Sequence, residues 1–266
     1  MTIIERDWGG LYFDVIDMVP PWQRPAATVL FHHGVGVTAD VWAEWLPVLA
    51  GRYRLVRFDL RGHGRSVSGA LGPWSLAGLI ADLLAVADAA GAERFHLIGE
   101  SLGGTVAMAC AAGHGNRVSS LTVSNGAHVG GTIENVQGWR DTIEGDGMAA
   151  WSRQMMGQRF HGGVLTGPQR AWYEATQAAT DGAAILAALE VLLGVDLRPD
   201  LARIVLPTLL LHPDASPFIP VPVMAELAQS LPNATLQVIA GARHGLPFSH
   251  AKDCAGRFRR FLDDLA

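Results

Sequence analysis

Short apolar runs recur along this chain, and between them apolar residues fall at helical spacing. Residues 28–31, 55–59, 95–98, 118–124, 208–212 and 236–239 each read as a strand, rich in Val, Ile, Leu, Phe and Thr. Residues 11–19 read as an antiparallel edge strand at the start of the chain. Residues 75–90 give the clearest helix. Leu76, Leu79, Ile80, Leu83, Leu84 and Ala87 share one face, Ser75 stands where an N-cap hydroxyl is needed, and Gly91 follows the last turn. A final amphipathic helix is expected over residues 251–265. Strands alternating with helices predict an α/β chain: a mostly parallel sheet flanked by helices. The alternation stops between residues 130 and 201, where Trp139, Met148, Trp151, Met155, Phe160, Trp172, Tyr173 and Leu189 stand in helical patterns. This segment reads as an inserted helical cap, 130–201, on a core made of 1–129 and 202–266. Most of its aromatic and Met residues are expected to pack the cap, while its inner face roofs the site and selects the substrate.

Composition narrows the function. A chain of 266 residues, 49% of them hydrophobic, is long enough to bury one large core. Its formal charge of −5 comes without a basic block, which argues against nucleic acid or an anionic membrane as partner. No apolar run reaches the roughly 18 residues of a membrane span, and the first seven residues lack an apolar signal core. Cys110 and Cys254 fall on separate expected helices without metal-ligand spacing. Reduced thiols and a cytoplasmic location follow as expectations, with no cofactor, no metal and a small-molecule substrate. A homo-oligomer stays open.

The chemistry concentrates at three places. Gly99-Glu100-Ser101-Leu102-Gly103 joins the strand at 95–98 to a helix of small residues beginning at Gly104. Strand, sharp turn and helix make a nucleophile elbow: the turn lifts a serine hydroxyl out at the top of the sheet and needs glycine on either side. Ser101 is the candidate nucleophile. The strand at 28–31 runs into His32-His33-Gly34-Val35-Gly36, a turn able to aim an amide at a developing oxyanion. Val35 and Leu102 are the expected amide donors. Third, Gly241-Ala242-Arg243-His244-Gly245 follows the last strand, and a histidine there can reach the elbow, take the Ser101 proton and return it to the leaving group.

Together these residues resemble the α/β-hydrolase family over nearly the whole chain. Phe58-Asp59-Leu60-Arg61-Gly62-His63-Gly64-Arg65-Ser66 resembles the strand-to-loop segment before that family's second helix, where Asp59 and Arg61 are expected to tie loops together. Residues 124–130, Trp139-Arg140-Asp141-Thr142-Ile143 and residues 146–150 are similar to the 3-oxoadipate enol-lactonase branch. The resemblance implies the α/β-hydrolase fold with its mostly parallel, eight-stranded sheet, and hydrolysis of a small, carboxylated lactone or ester. It implies a substrate site near His33, Gly34, Asn125, Trp139 and Arg140, with the Arg140 guanidinium gripping a carboxylate as a two-bond fork. It also implies an acid that orients His244, and here the chain departs from the pattern. Anchored on Pro220, the acid position holds Ser216, while Asp214 comes two residues early. Asp214 is the candidate acid. The alternative is that Asp214 caps its turn and a neutral group orients His244. Two other functions stay open: a C–C bond or amide hydrolase using the same site, and a non-catalytic small-ligand binder.

Overall fold

The computed structural model describes residues 2–66 and 72–265. One sheet organises them, with strands β1 (Thr2–Arg6), β2 (Gly9–Ile16), β3 (Thr28–His32), β4 (Arg54–Phe58), β5 (Phe95–Glu100), β6 (Val118–Ser124), β7 (Thr208–Pro213) and β8 (Ala234–Ile239). Their order is β1-β2-β4-β3-β5-β6-β7-β8. β1 pairs antiparallel with β2, and β2 with β4, whereas every pair from β4 to β8 is parallel. Residues 11–19 are therefore not the edge. β1 takes that place; its side chains are mostly half-buried or exposed, so it carries too little apolar pattern to announce itself.

The helices are α1 (Leu46–Leu49), α2 (Leu76–Ala89), α3 (Leu102–Gly113), α4 (Trp139–Gly145), α5 (Met148–Arg159), α6 (Gly167–Ala178), α7 (Gly182–Leu193), α8 (Val221–Ser230), α9 (Leu246–Ser249) and α10 (Ala251–Asp263). α2 starts as expected, with the Ser75 hydroxyl accepting from the Gly78 amide at 3.0 Å. β3 is buried along its whole length, and its side chains alternate between two cores. Leu30 joins α2, α3 and α8 on one face, while Val29 and Phe31 join Trp42, Trp45, Leu49 and Phe258 on the other.

The loops at the top of the sheet are tied by buried ions. Asp59 accepts from the Ala39 amide and from Arg65. Arg61 pairs with the buried Asp82 at 2.7 Å and lies over the Trp8 and Trp74 rings. Helices α4 to α7 all lie in the chain between β6 and β7. They share the cores of the sheet: Trp139, Trp151 and Leu189 belong to one, and Met156, Phe160 and Tyr173 to the other. Among the described residues no single helix is long and apolar enough to cross a membrane.

Candidate active site

β5 ends at Glu100, and α3 begins at Leu102, so one residue makes the whole turn. That residue is Ser101, at φ 55° and ψ −121°, a conformation that costs a non-glycine residue about 1–3 kcal/mol. The surroundings hold it there: the Ser101 amide donates to Ser124 O at 2.8 Å, and Ser101 O accepts from Thr105 N at 3.1 Å. The flanking glycines are required by close approach. A Cβ on Gly99 would lie 2.1 Å from Gly103 O, and one on Gly103 would lie 2.3 Å from His32 O.

The loop after β8 brings His244 over this turn, with Nε2 3.1 Å from Ser101 Oγ. Two bonds fix the backbone of that loop. Asn125 Nδ2 donates to His244 O at 2.7 Å, and Gly245 N donates to Arg159 O at 2.9 Å. The Phe218 ring meets the imidazole edge-on, 4.7 Å between centroids. Burial, with the neighbouring Arg159 guanidinium and His212, holds the His244 pKa well below 6.5. The imidazole is thus neutral at pH 7 and has a lone pair to offer.

Asp214 is not beside this histidine. Its carboxylate accepts from Gly241 N at 2.9 Å and Ala242 N at 3.1 Å, while its own amide donates to Ile239 O. Directly after Pro213, the last residue of β7, it still follows the pairing with β8 and so closes the turn beyond that strand. The group facing His244 Nδ1 is Ser216 Oγ, at 3.4 Å. The same oxygen accepts from Phe218 N at 3.4 Å and Ile219 N at 3.3 Å.

Of the two expected oxyanion donors, Val35 lines the same pocket as Ser101, and Leu102 is the next residue along the chain. Gly34 N donates to the buried Glu100 carboxyl at 2.9 Å and Gly36 N to His63 Nε2 at 3.0 Å, so the amides on either side of Val35 are engaged. Among the described residues the Val35 amide has no such partner, and Leu102 N heads the first turn of α3, where a helix leaves its amides unpaired. Around Ser101 and His244 lies an apolar pocket, walled by Val35, Ala127, Ile133, Trp139, Leu189 and Phe218. Among the described residues no three His, Cys, Asp or Glu side chains gather into a set able to hold a metal ion.

Residues 27–251 match the family model described as alpha/beta hydrolase fold. The chain belongs to the α/β-hydrolase family. A 30% identical relative from Edwardsiella ictaluri is named pimeloyl-(acyl-carrier protein) methyl ester esterase; the match covers 87% of this chain and 91% of that one. A Caulobacter protein provisionally named carbamate hydrolase RutD is 28% identical over 82% of this chain and 84% of its own. Among solved structures, the enol-lactonase from Burkholderia xenovorans superposes with a TM-score of 0.89 at 22% identity, over 98% of this chain and 100% of that one. That last likeness establishes the α/β-hydrolase fold and nothing finer.

Within this α/β-hydrolase chain the expected substrate residues separate. Trp139 and Asn125 line the pocket. Arg140 does not: it is exposed and bonded to Glu144 at 2.9 Å and Glu190 at 2.7 Å. Successive helical residues point about 100° apart, so α4 cannot turn both Trp139 and Arg140 inward. His33 and Gly34 serve the loop rather than a ligand. His33 Nδ1 donates to Gly34 O at 2.7 Å and Nε2 accepts from Leu60 N at 2.8 Å, so both ring nitrogens are occupied in a side chain that burial keeps neutral.

Arg159 went unnoticed in the sequence. It is 2% exposed, lines the pocket, and donates to Val35 O and to the Tyr173 hydroxyl, each at 2.7 Å. Among the described residues its Nε has no partner and no carboxylate comes within ion-pair distance. The available signal was its place four and eight residues after Met155 and Trp151, on the apolar face of α5.

Proposed function

We propose that this α/β-hydrolase is a serine esterase or lactonase acting on small substrates through an acyl-enzyme. The observation that carries this reading is Ser101 Oγ, 3.1 Å from Nε2 of a buried His244 whose pKa lies well below 6.5, in a pocket that Val35 also lines. In the proposed reaction Ser101 Oγ attacks the carbonyl carbon while its proton passes to His244 Nε2. The carbonyl oxygen takes up the negative charge against the two amides. Collapse expels the leaving oxygen, which receives the proton from the imidazolium. Water, activated by the same nitrogen, then repeats the sequence on the acyl-enzyme, releasing the acid and restoring the Ser101 hydroxyl.

The apolar pocket supports a small acyl group, and the methyl ester esterase name of the 30% identical relative supports an ester. Any substrate carboxylate would turn to Arg159, the buried cation at the pocket wall, since Arg140 lies outside it. A fluorophosphonate tests the proposal. It should label the protein once, at Ser101, and Ser101→Ala should abolish both labelling and p-nitrophenyl acetate hydrolysis while retaining the parent Tm. Labelling at another serine, or undiminished turnover in the variant, would remove the assignment.

A further inference from the structure

His244 is supported by a hydroxyl where a carboxylate would serve it best, and this has a consequence for substrate choice. Ser216 Oγ lies 3.4 Å from Nδ1, and two backbone amides, Phe218 N and Ile219 N, converge on the same oxygen. The carboxylate two residues earlier is engaged by Gly241 and Ala242. The other charged or titratable groups acting on the imidazole are Arg159 and His212, and neither supplies negative charge at pH 7. We infer that Ser216 takes the acid's place beside His244 as a neutral partner, and that this tunes the site to esters whose leaving group departs as a stable anion, phenol-type esters, over simple alkyl esters.

This role for Ser216 rests on Ser101 being the nucleophile, as proposed. A carboxylate only accepts, so it fixes the Nδ1–H tautomer and stabilises the imidazolium that forms when Nε2 takes the Ser101 proton. A hydroxyl both donates and accepts, so it suits either tautomer and offers the imidazolium only a dipole. The cost falls unequally on substrates. With an alkyl ester the proton must move fully from Ser101 Oγ to Nε2 and then to the leaving alkoxide oxygen as its C–O bond breaks, so the transition state carries a developed imidazolium. With an aryl ester the Ser101 Oγ proton also passes to Nε2, but the phenoxide can leave without taking it up. Attack then limits the rate, and its transition state comes early with the proton only partly transferred. Less charge has built on the ring at that point, the imidazolium afterwards losing its proton to the phenoxide or to water.

The two amides on Ser216 Oγ would equally cradle a carboxylate oxygen, which makes Ser216→Asp the decisive variant. We expect Ser216→Asp to raise kcat/KM for ethyl acetate at least tenfold more than for p-nitrophenyl acetate, and to move the acid limb of the kcat/KM profile to higher pH. Equal gains on both esters, or no gain in a variant that keeps the parent Tm, would overturn the inference. Should the aspartate variant fail to fold, Ser216→Ala and Ser216→Thr decide. Alanine should lower kcat for the alkyl ester more than for the aryl ester with KM little changed, and threonine should restore the ratio. Loss of that discrimination counts against Ser216, whereas turnover surviving in Ser101→Ala counts against the serine-hydrolase reading itself.

Discussion

The C-terminal ends of β5 and β7 both serve His244, but they are built by different physics. At β5, backbone passes backbone so closely that Gly99 and Gly103 admit no Cβ, and the intervening Ser101 is held in a strained conformation by its neighbours. At β7 the turn meets the imidazole through one hydroxyl at 3.4 Å, itself held by two backbone amides at 3.3–3.4 Å. Steric necessity dictates residue type at the first turn. Hydrogen-bond geometry at the second dictates only a position, and a serine fills it.

The largest effect should therefore come from the β5 side. His244→Gln removes the imidazole that lies 3.1 Å from Ser101 Oγ and, on the proposed mechanism, should lower kcat by about 10⁵, measured as single-turnover acylation. A drop of only tenfold would mean that another group takes the Ser101 proton. Gly103→Ala probes the packing beneath the same turn. Its Cβ meets His32 O at 2.3 Å, so unfolding by urea should show a loss above about 4 kcal/mol or no soluble protein at all.

This difference also explains what could be read from the chain. The glycines around Ser101 and the histidine after β8 are legible because sterics and order along the chain restrict them, and the buried strands are legible because parallel sheets need apolar runs. β1 was hidden by its exposure, and Arg140 misled because adjacency to Trp139 along the chain is not adjacency on a helix face. Asp214 misled for a similar reason. Proximity to the expected position suggested a carboxylate aimed at His244, whereas β7–β8 pairing carries that carboxylate to Gly241 and Ala242.

Between the two turns stands Asn125, after β6, whose buried amide donates to His244 O at 2.7 Å. Asn125→Ala should lower kcat by roughly tenfold to a hundredfold, because it frees the backbone that aims the imidazole. The residue also sits at φ 57°, so backbone preference contributes to any loss of stability. Asn125→Gly separates the two effects. Glycine accepts that φ and removes the side-chain bond, so if it matches the parent in kcat, the amide does not position His244.

The smallest effect is expected at Asp214, where an acid acting on His244 would instead make it one of the largest. Asp214→Asn should leave kcat within threefold of the parent and lower Tm by about 2–4 °C, the equivalent of about 1 kcal/mol in a chain of this size. The bond from Gly241 N, followed by that from Ala242 N, holds the Asp214 carboxyl below its ordinary pKa. A group depressed in the folded state stabilises above its unfolded pKa, near 4, and that contribution fades as pH falls through the lower folded value. The Tm gap between parent and variant should accordingly be full at pH 7 and shrink as pH falls below about 4. A kcat loss approaching 10⁴ with Tm unchanged would instead show that the carboxylate swings to His244 during turnover, and the two turns would then be built alike after all.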